Sequence, residues 1–218
     1  MTGVQTCALP ISLSNGSAAF AINGLNAGDH SLTASYTAQG IFPASSSTAT
    51  LHVNPLPITV TADAKSKTYG DADPTLSYRI TSGSLANGDS FTGVLTRSTG
   101  KNVGTYAVQA GTLSLSTNYT LTFVPANFTI VPKPASVTAN PGSKTFGDPD
   151  SVLTGTLSGF LPSDNVTAVF TRTAGEDPGT YTINAALAPA IVLPNYAITY
   201  NTASFVIAPL AASVTPMP

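Results

Sequence analysis

Ser66-Lys67-Thr68-Tyr69-Gly70-Asp71 returns 77 residues further on as Ser143-Lys144-Thr145-Phe146-Gly147-Asp148. A fixed internal period is the mark of a chain built from repeated supersecondary units. The same offset links Pro57-Ile-Thr-Val60-Thr-Ala62 to Pro134-Ala-Ser-Val137-Thr-Ala139, Asn118-Tyr119 to Asn195-Tyr196, and Phe128-Thr-Ile130 to Phe205-Val-Ile207. Between them, Thr96-Arg97 and Gly104-Thr-Tyr106 return as Thr171-Arg172 and Gly179-Thr-Tyr181 at an offset of 75. Length changes therefore fall in turns and cancel, while the landmarks hold their spacing.

Within each unit the pattern is that of short strands. Ile58 and Val60 alternate with Thr59 and Thr61, and Val94-Leu-Thr-Arg97, Tyr106-Ala-Val108, Tyr119-Thr-Leu-Thr-Phe123 and Phe128-Thr-Ile130 alternate likewise. One face is apolar and the other carries Thr or Ser. Turn residues separate them at Tyr69-Gly-Asp-Ala-Asp-Pro74, Ala86-Asn-Gly-Asp89 and Ser98-Thr-Gly100. No stretch sustains a helical period. About seven short strands per unit, with turn signals every 8 to 12 residues, predict an all-β chain of tandem Ig-like β-sandwich modules in an elongated array. Gly104-Thr-Tyr106 and Gly179-Thr-Tyr181 resemble the tyrosine corner of such folds, a Tyr bonded to upstream backbone two residues before a core position, here Val108 or Ile183. In Gly28-Asp-His30, His30 stands where the Tyr would be. Proline-bearing junctions at Pro55, Pro57, Pro132, Pro134 and Pro209 predict stiff crossings between modules.

Residues 57–132 resemble an MBG domain of the YGX type, a mostly bacterial Ig-like repeat. The resemblance rests on Lys67-Thr-Tyr69-Gly70-Asp71, Gly83-Ser-Leu85, Phe91-Thr-Gly93, Val103-Gly104-Thr-Tyr106, Gly111-Thr-Leu113, Asn118-Tyr119 and Phe128-Thr-Ile130. Residues 134–209 are similar but looser, with Phe146 in place of the Tyr before Gly147. Residues 12–54 look like the C-terminal half of another bacterial Ig-like module. What the resemblance implies is extracellular or cell-surface placement in a large, adhesin-like bacterial protein, and no catalytic residues.

The ends read as truncations. Ala135-Ser-Val-Thr138 recurs as Ala212-Ser-Val-Thr215, so residues 210–218 are expected to open a further repeat. Residues 1–11 read as a translated sequencing adapter and not as part of the fold. Cys7, the single cysteine, goes with them, leaving no disulfide, thiolate nucleophile or Cys metal site to expect. Residues 12–54, lacking partner strands, are expected to be the least stable part, with unpaired edges.

Composition narrows function. The 218 residues carry 8 Lys+Arg and 10 Asp+Glu, a net charge of −2, and the cations are scattered. No clustered basic face is expected to meet nucleic acid or an anionic membrane, and no apolar run reaches membrane-spanning length. The two histidines, His30 and His52, read as structural or exposed, Glu176 is the only Glu, and no phosphate-binding glycine loop occurs. No enzyme and no cofactor are expected.

Two ligand readings stay open. Asp71 and Asp73, with Asp148 and Asp150, lie two apart in matching turns and are calcium candidates; the competing reading is ordinary turn chemistry. Tyr69, Tyr78, Tyr119, Phe123 and Phe128 are either a sugar-stacking platform or core. The remaining motif residues, Gly70, Gly104, Tyr106, Phe146, Gly147, Gly179 and Tyr181, read as structural. The expected role is a spacer or stalk module whose partners are the neighbouring repeats. The alternative is a module that itself binds a glycan or a host protein.

Overall fold

The structure is a computed structural model and describes residues 21–86 and 88–212. The adapter-like stretch, the start of the partial module and the strand expected from Ala212 lie, wholly or in their greater part, outside the described residues. The rest is strand and turn, with two single-turn 3₁₀ segments at Pro162–Asp164 and Leu193–Asn195. No helix among the described residues is long and apolar enough to cross a membrane.

Two strands open the described chain, β1 (Gly28–Tyr36) and β2 (Ser45–Val53). They pair antiparallel from Gly28 opposite Val53 to Tyr36 opposite Ser45, and no third strand joins them among the described residues. Eight of the nine residues of β2 are exposed, so this hairpin has little core of its own. A two-stranded hairpin of this kind is marginal in water without further packing.

The first repeat supplies β3 (Leu56–Ala62), β4 (Lys65–Thr68), β5 (Tyr78–Ser82), β6 (Thr96–Arg97), β7 (Gly104–Gln109), β8 (Tyr119–Val124) and β9 (Ala126–Val131). The second supplies β10 (Lys133–Ala139), β11 (Gly142–Thr145), β12 (Gly155–Ser158), β13 (Thr167–Arg172), β14 (Gly179–Ala188), β15 (Tyr196–Asn201) and β16 (Ala203–Ala208). Each repeat forms a three-stranded sheet, β5-β3-β8 or β12-β10-β15, and a four-stranded sheet, β4-β9-β7-β6 or β11-β16-β14-β13. Seven strands per repeat agree with the spacing of the turn signals. The order has its own character: the first strand sits at the centre of the small sheet, antiparallel to the third and parallel to the sixth. The tyrosine of the corner motif consequently lies on the fifth strand of seven.

Contacts group the chain into two compact units. Among the described residues, one takes 21–63, 77–86, 88–96 and 109–126; the other takes 64–76, 97–108 and 127–212. In the first, Ile58, Val60, Leu113 and Tyr119 form a buried cluster covered by Tyr78, Leu85, Phe91 and Phe123. In the second, Ala139 from the small sheet meets Ile183, Phe205 and Ile207 from the large one, which closes the second repeat as a sandwich. Val108 and Ile183, two residues past the corner tyrosines, are both 0% exposed. Burying an aliphatic side chain there contributes about 1.5–3 kcal/mol.

One local expectation differs from the structure, and two strands lie outside the apolar pattern. Val94-Leu-Thr-Arg97 is a strand only at Thr96–Arg97. Before it, the Val94 N–H bonds to Thr112 Oγ1 and the Val94 carbonyl accepts the Thr112 N–H, which holds a turn rather than a ladder. Lys65–Thr68 and Gly142–Thr145, which carry no apolar alternation, are strands as well. Each lies parallel to the last strand of its repeat.

Candidate functional site

The tyrosine corner sets the edge on which the other polar groups are mounted. Tyr106 Oη donates to the Asn102 carbonyl at 2.8 Å, and Tyr181 Oη to the Asp177 carbonyl at 2.8 Å. His30 Nε2 lies 2.7 Å from the Asn26 carbonyl, so it is the protonated nitrogen and donates across the same four-residue interval. The ring needs a glycine to lie against: a Cβ on Gly100 would meet Tyr106 Cε1 at 2.0 Å, and one on Gly175 would meet Tyr181 Cε1 at 2.3 Å.

Beneath each ring runs an arginine. The Arg97 guanidinium carbon stands 5.4 Å from the Tyr106 ring centre and 4.7 Å from that of Phe128; Arg172 stands 5.1 Å from both Tyr181 and Phe205. This packing is a cation–π contact at a largely desolvated site. Arg97 then holds Asp73 through Nε and Nη2 and donates from Nη1 to the Ser98 and Gly100 carbonyls. Arg172 holds Asp150 and the Thr173 and Gly175 carbonyls in the same way, and adds Glu176. Lys67 and Lys144 complete the pairs at 2.7 Å from Asp73 and 2.8 Å from Asp150, and Lys144 also contacts Glu176.

This arrangement commits Asp73 and Asp150 to ion pairs within the module. The Arg97 fork, with Lys67 behind it, holds Asp73 down at about 2, and Arg172 with Lys144 does the same to Asp150. Their oxygens are already shared between two cations, which a calcium ion would have to displace. Asp71 and Asp148 are exposed, and their backbone N–H groups close the turn onto Thr68 and Thr145. Among the described residues no three acidic, His or Cys side chains gather as metal ligands. The aromatics are core rather than platform: Tyr69, Tyr119 and Phe128 are buried, while Tyr78 and Phe123 pack on the core cluster. His52 is exposed and faces Asp29 at 2.5 Å.

The site that sequence reasoning passed over is the seam between successive modules. At the seam between the hairpin and the first repeat, Asn118 Oδ1 accepts the Ala27 N–H at 2.8 Å, and its Nδ2 donates to Asn26 Oδ1 at 3.0 Å. At the seam between the two repeats, Asn195 makes the same pair: Oδ1 accepts the Val103 N–H at 2.9 Å, and Nδ2 donates to Asn102 Oδ1 at 3.3 Å. Asn26-Ala27-Gly28 and Asn102-Val103-Gly104 are the same place in successive modules, just ahead of the corner residue. Asn195 is 4% exposed, a buried amide with its bonds made.

The residue next to each Asn faces inward. Tyr119 Oη accepts the Ala86 N–H and donates to Asp89; Tyr196 Oη accepts the Leu161 N–H and donates to Asp164. Each Asn-Tyr pair thus bonds the preceding module with one side chain and its own loop with the next. The seam between the repeats adds the Tyr-Gly of the opening motif. Tyr69 Oη donates to Asp164 Oδ2 at 3.1 Å, its ring meets Tyr196 edge to face at 5.5 Å, and a Cβ on Gly70 would lie 2.6 Å from Leu161 Cδ1. Burial, with the Asp164 carboxylate beside it, raises Tyr69 and pushes Tyr196 up to about 12.

A family model described as MBG domain (YGX type) matches residues 58–129 and again residues 135–206. No curated protein matches the chain.

Proposed function

We propose, for a chain that belongs to the MBG domain (YGX type) family, a non-catalytic structural role. Its repeats act as spacer modules that fix one another's orientation within a secreted or surface-displayed bacterial protein of adhesin-like type. One observation carries this reading: Asn118 and Asn195 make the same two bonds to the same place in the module before them. A buried polar contact tolerates only a narrow geometry, because misplacement leaves its donors and acceptors unpaired. That device, buried at Asn195 and half-buried at Asn118, recurs at two successive seams, as suits a chain whose task is to hold modules in register.

Ionic and aromatic groups support the same reading by being spent inside the modules. Lys67, Arg97, Lys144 and Arg172 serve internal carboxylates, and Tyr119, Phe128, Tyr196 and Phe205 are buried. Residual dipolar couplings on the 218-residue chain test the proposal. The expected outcome is one alignment tensor for residues 64–76, 97–108 and 134–208; separate tensors for the two repeats would overturn it. A glycan and extracellular-matrix binding panel tests the alternative, and affinity at the micromolar level or tighter would assign the repeats themselves to ligand binding.

A further inference from the structure

The end of the first repeat that receives its neighbour has a counterpart on the second repeat, and the two differ at each residue that hydrogen-bonds across the seam. Where the first offers Tyr69, Asn102 and Val103, the second has Phe146, Asp177 and Pro178. Lys101 is replaced by Glu176. The corresponding surface is open: Phe146 is 43% exposed against 9% for Tyr69, nothing lies within 4 Å of a Cβ on Gly147, and Asp177 and Pro178 are exposed.

We propose that this end of the second repeat is an interaction surface for a module of different chemistry from the one the first repeat accepts. Each replacement narrows the partner. Phe146 has no hydroxyl, so a carboxylate in the position of Asp164 finds no donor there. Pro178 has no N–H, so an amide oxygen in the position of Asn195 is left unbonded. Asp177 only accepts when ionised; it can still take the bond that an amide nitrogen gives Asn102, but beside Pro178 a group that only donates leaves no acceptor unpaired. The fitting partner is therefore a following module with Lys or Arg at the Asn position. At the Asp position it has an apolar side chain, which packs on Phe146 and Gly147 as Leu161 packs on Gly70. An Asn/Asp module of the kind seated on the first repeat is discriminated against by the bonds it loses to Phe146 and Pro178.

This inference rests on the seam between the two repeats being a fixed junction, and the experiment keeps that junction as its internal control. In the full chain, residues 210–218 are replaced by a second copy of residues 133–209, and spin-label pairs report the distance distribution across the existing seam and the new one. With the native end, the added copy is expected to give a distribution at least twice as broad as that across the existing seam. Phe146→Tyr with Asp177→Asn and Pro178→Val should narrow it to match. Asn195→Lys with Asp164→Leu, both in the added copy alone, should narrow it with the native end intact. A new junction already as narrow as the existing seam would overturn the proposal, as would failure of both substituted forms to narrow. A broad existing seam would instead overturn the proposed function.

Discussion

Asp164 Oδ2 receives two phenols from two repeats, Tyr196 of its own at 2.5 Å and Tyr69 of the preceding one at 3.1 Å. A carboxylate has lone pairs enough for both, so one side chain serves the loop of the second repeat and the seam at once. The Tyr-Gly of the repeat motif therefore reaches across a module boundary, which gives it a role beyond turning the chain.

Removing the amide of the seam should cost more than removing an exposed one. Asn195→Ala leaves the Val103 N–H without its partner, and a loss of about 1–3 kcal/mol is expected. Asn118→Ala should cost less, because the hairpin it holds has less structure to lose. Urea denaturation of the two variants, with Asn127→Ala as a control, checks the order.

Alkaline pH should loosen the same seam. The folded-state value of Tyr196, about 12, lies above that of a free phenol near ~10. Its contribution is therefore fully present below pH ~10 and is lost as pH rises toward 12. Tyr196→Phe should be less stable than the parent at pH ~8 and should lose less between pH ~10 and ~12. Urea midpoints measured across that range check it.

Acid acts on the other cluster. Asp73 and Asp150, held at about 2 by Arg97 and Arg172, titrate near ~3.9 when unfolded. A depressed carboxylate contributes stability above its unfolded value, and that stability disappears as pH falls from ~4 toward ~2. Asp73→Asn with Asp150→Asn should lower the melting midpoint at pH ~7 and flatten its decline below pH ~4. Addition of calcium or a chelator at neutral pH should leave the parent's midpoint in place, and a rise with calcium would restore the metal reading.

Gly100 should tolerate no side chain. Its φ is +154°, and a Cβ there would stand 2.0 Å from the Tyr106 ring, so Gly100→Ala should cost about 2 kcal/mol or more. Tyr106→Phe, which removes only the bond to the Asn102 carbonyl, should cost about 0.5–1.5 kcal/mol. Thermal melts of both variants separate the ring's seat from its hydroxyl.

The repeat, its strands and the corner were legible because each is written in local periodicity or in short motifs; His30 could be placed at the corner from Gly28 alone. The seam was not. Asn118-Tyr119 stands out as a landmark, yet its partners Asn26 and Ala27 lie 92 and 91 residues upstream of Asn118. Nothing in the spacing marks them as acceptor and donor. The Asp pair in Gly70-Asp-Ala-Asp stayed open between two readings for a related reason. Two carboxylates in a turn look like metal ligands until Arg97, 24 residues beyond Asp73, is brought over them. Strands Lys65–Thr68 and Gly142–Thr145 escaped because a parallel edge pairing needs no apolar alternation to form.

The adjacency of Asn195 and Tyr196 has a mechanical consequence. Tension that draws the second repeat away from Asn102 and Val103 arrives at Asn195, one peptide bond from the tyrosine that latches the loop at Leu161 and Asp164. Parting the modules and unlatching that loop are then two stages of one yield event. Under pulling, the extension trace should show the seam and the loop releasing together, ahead of the sheets.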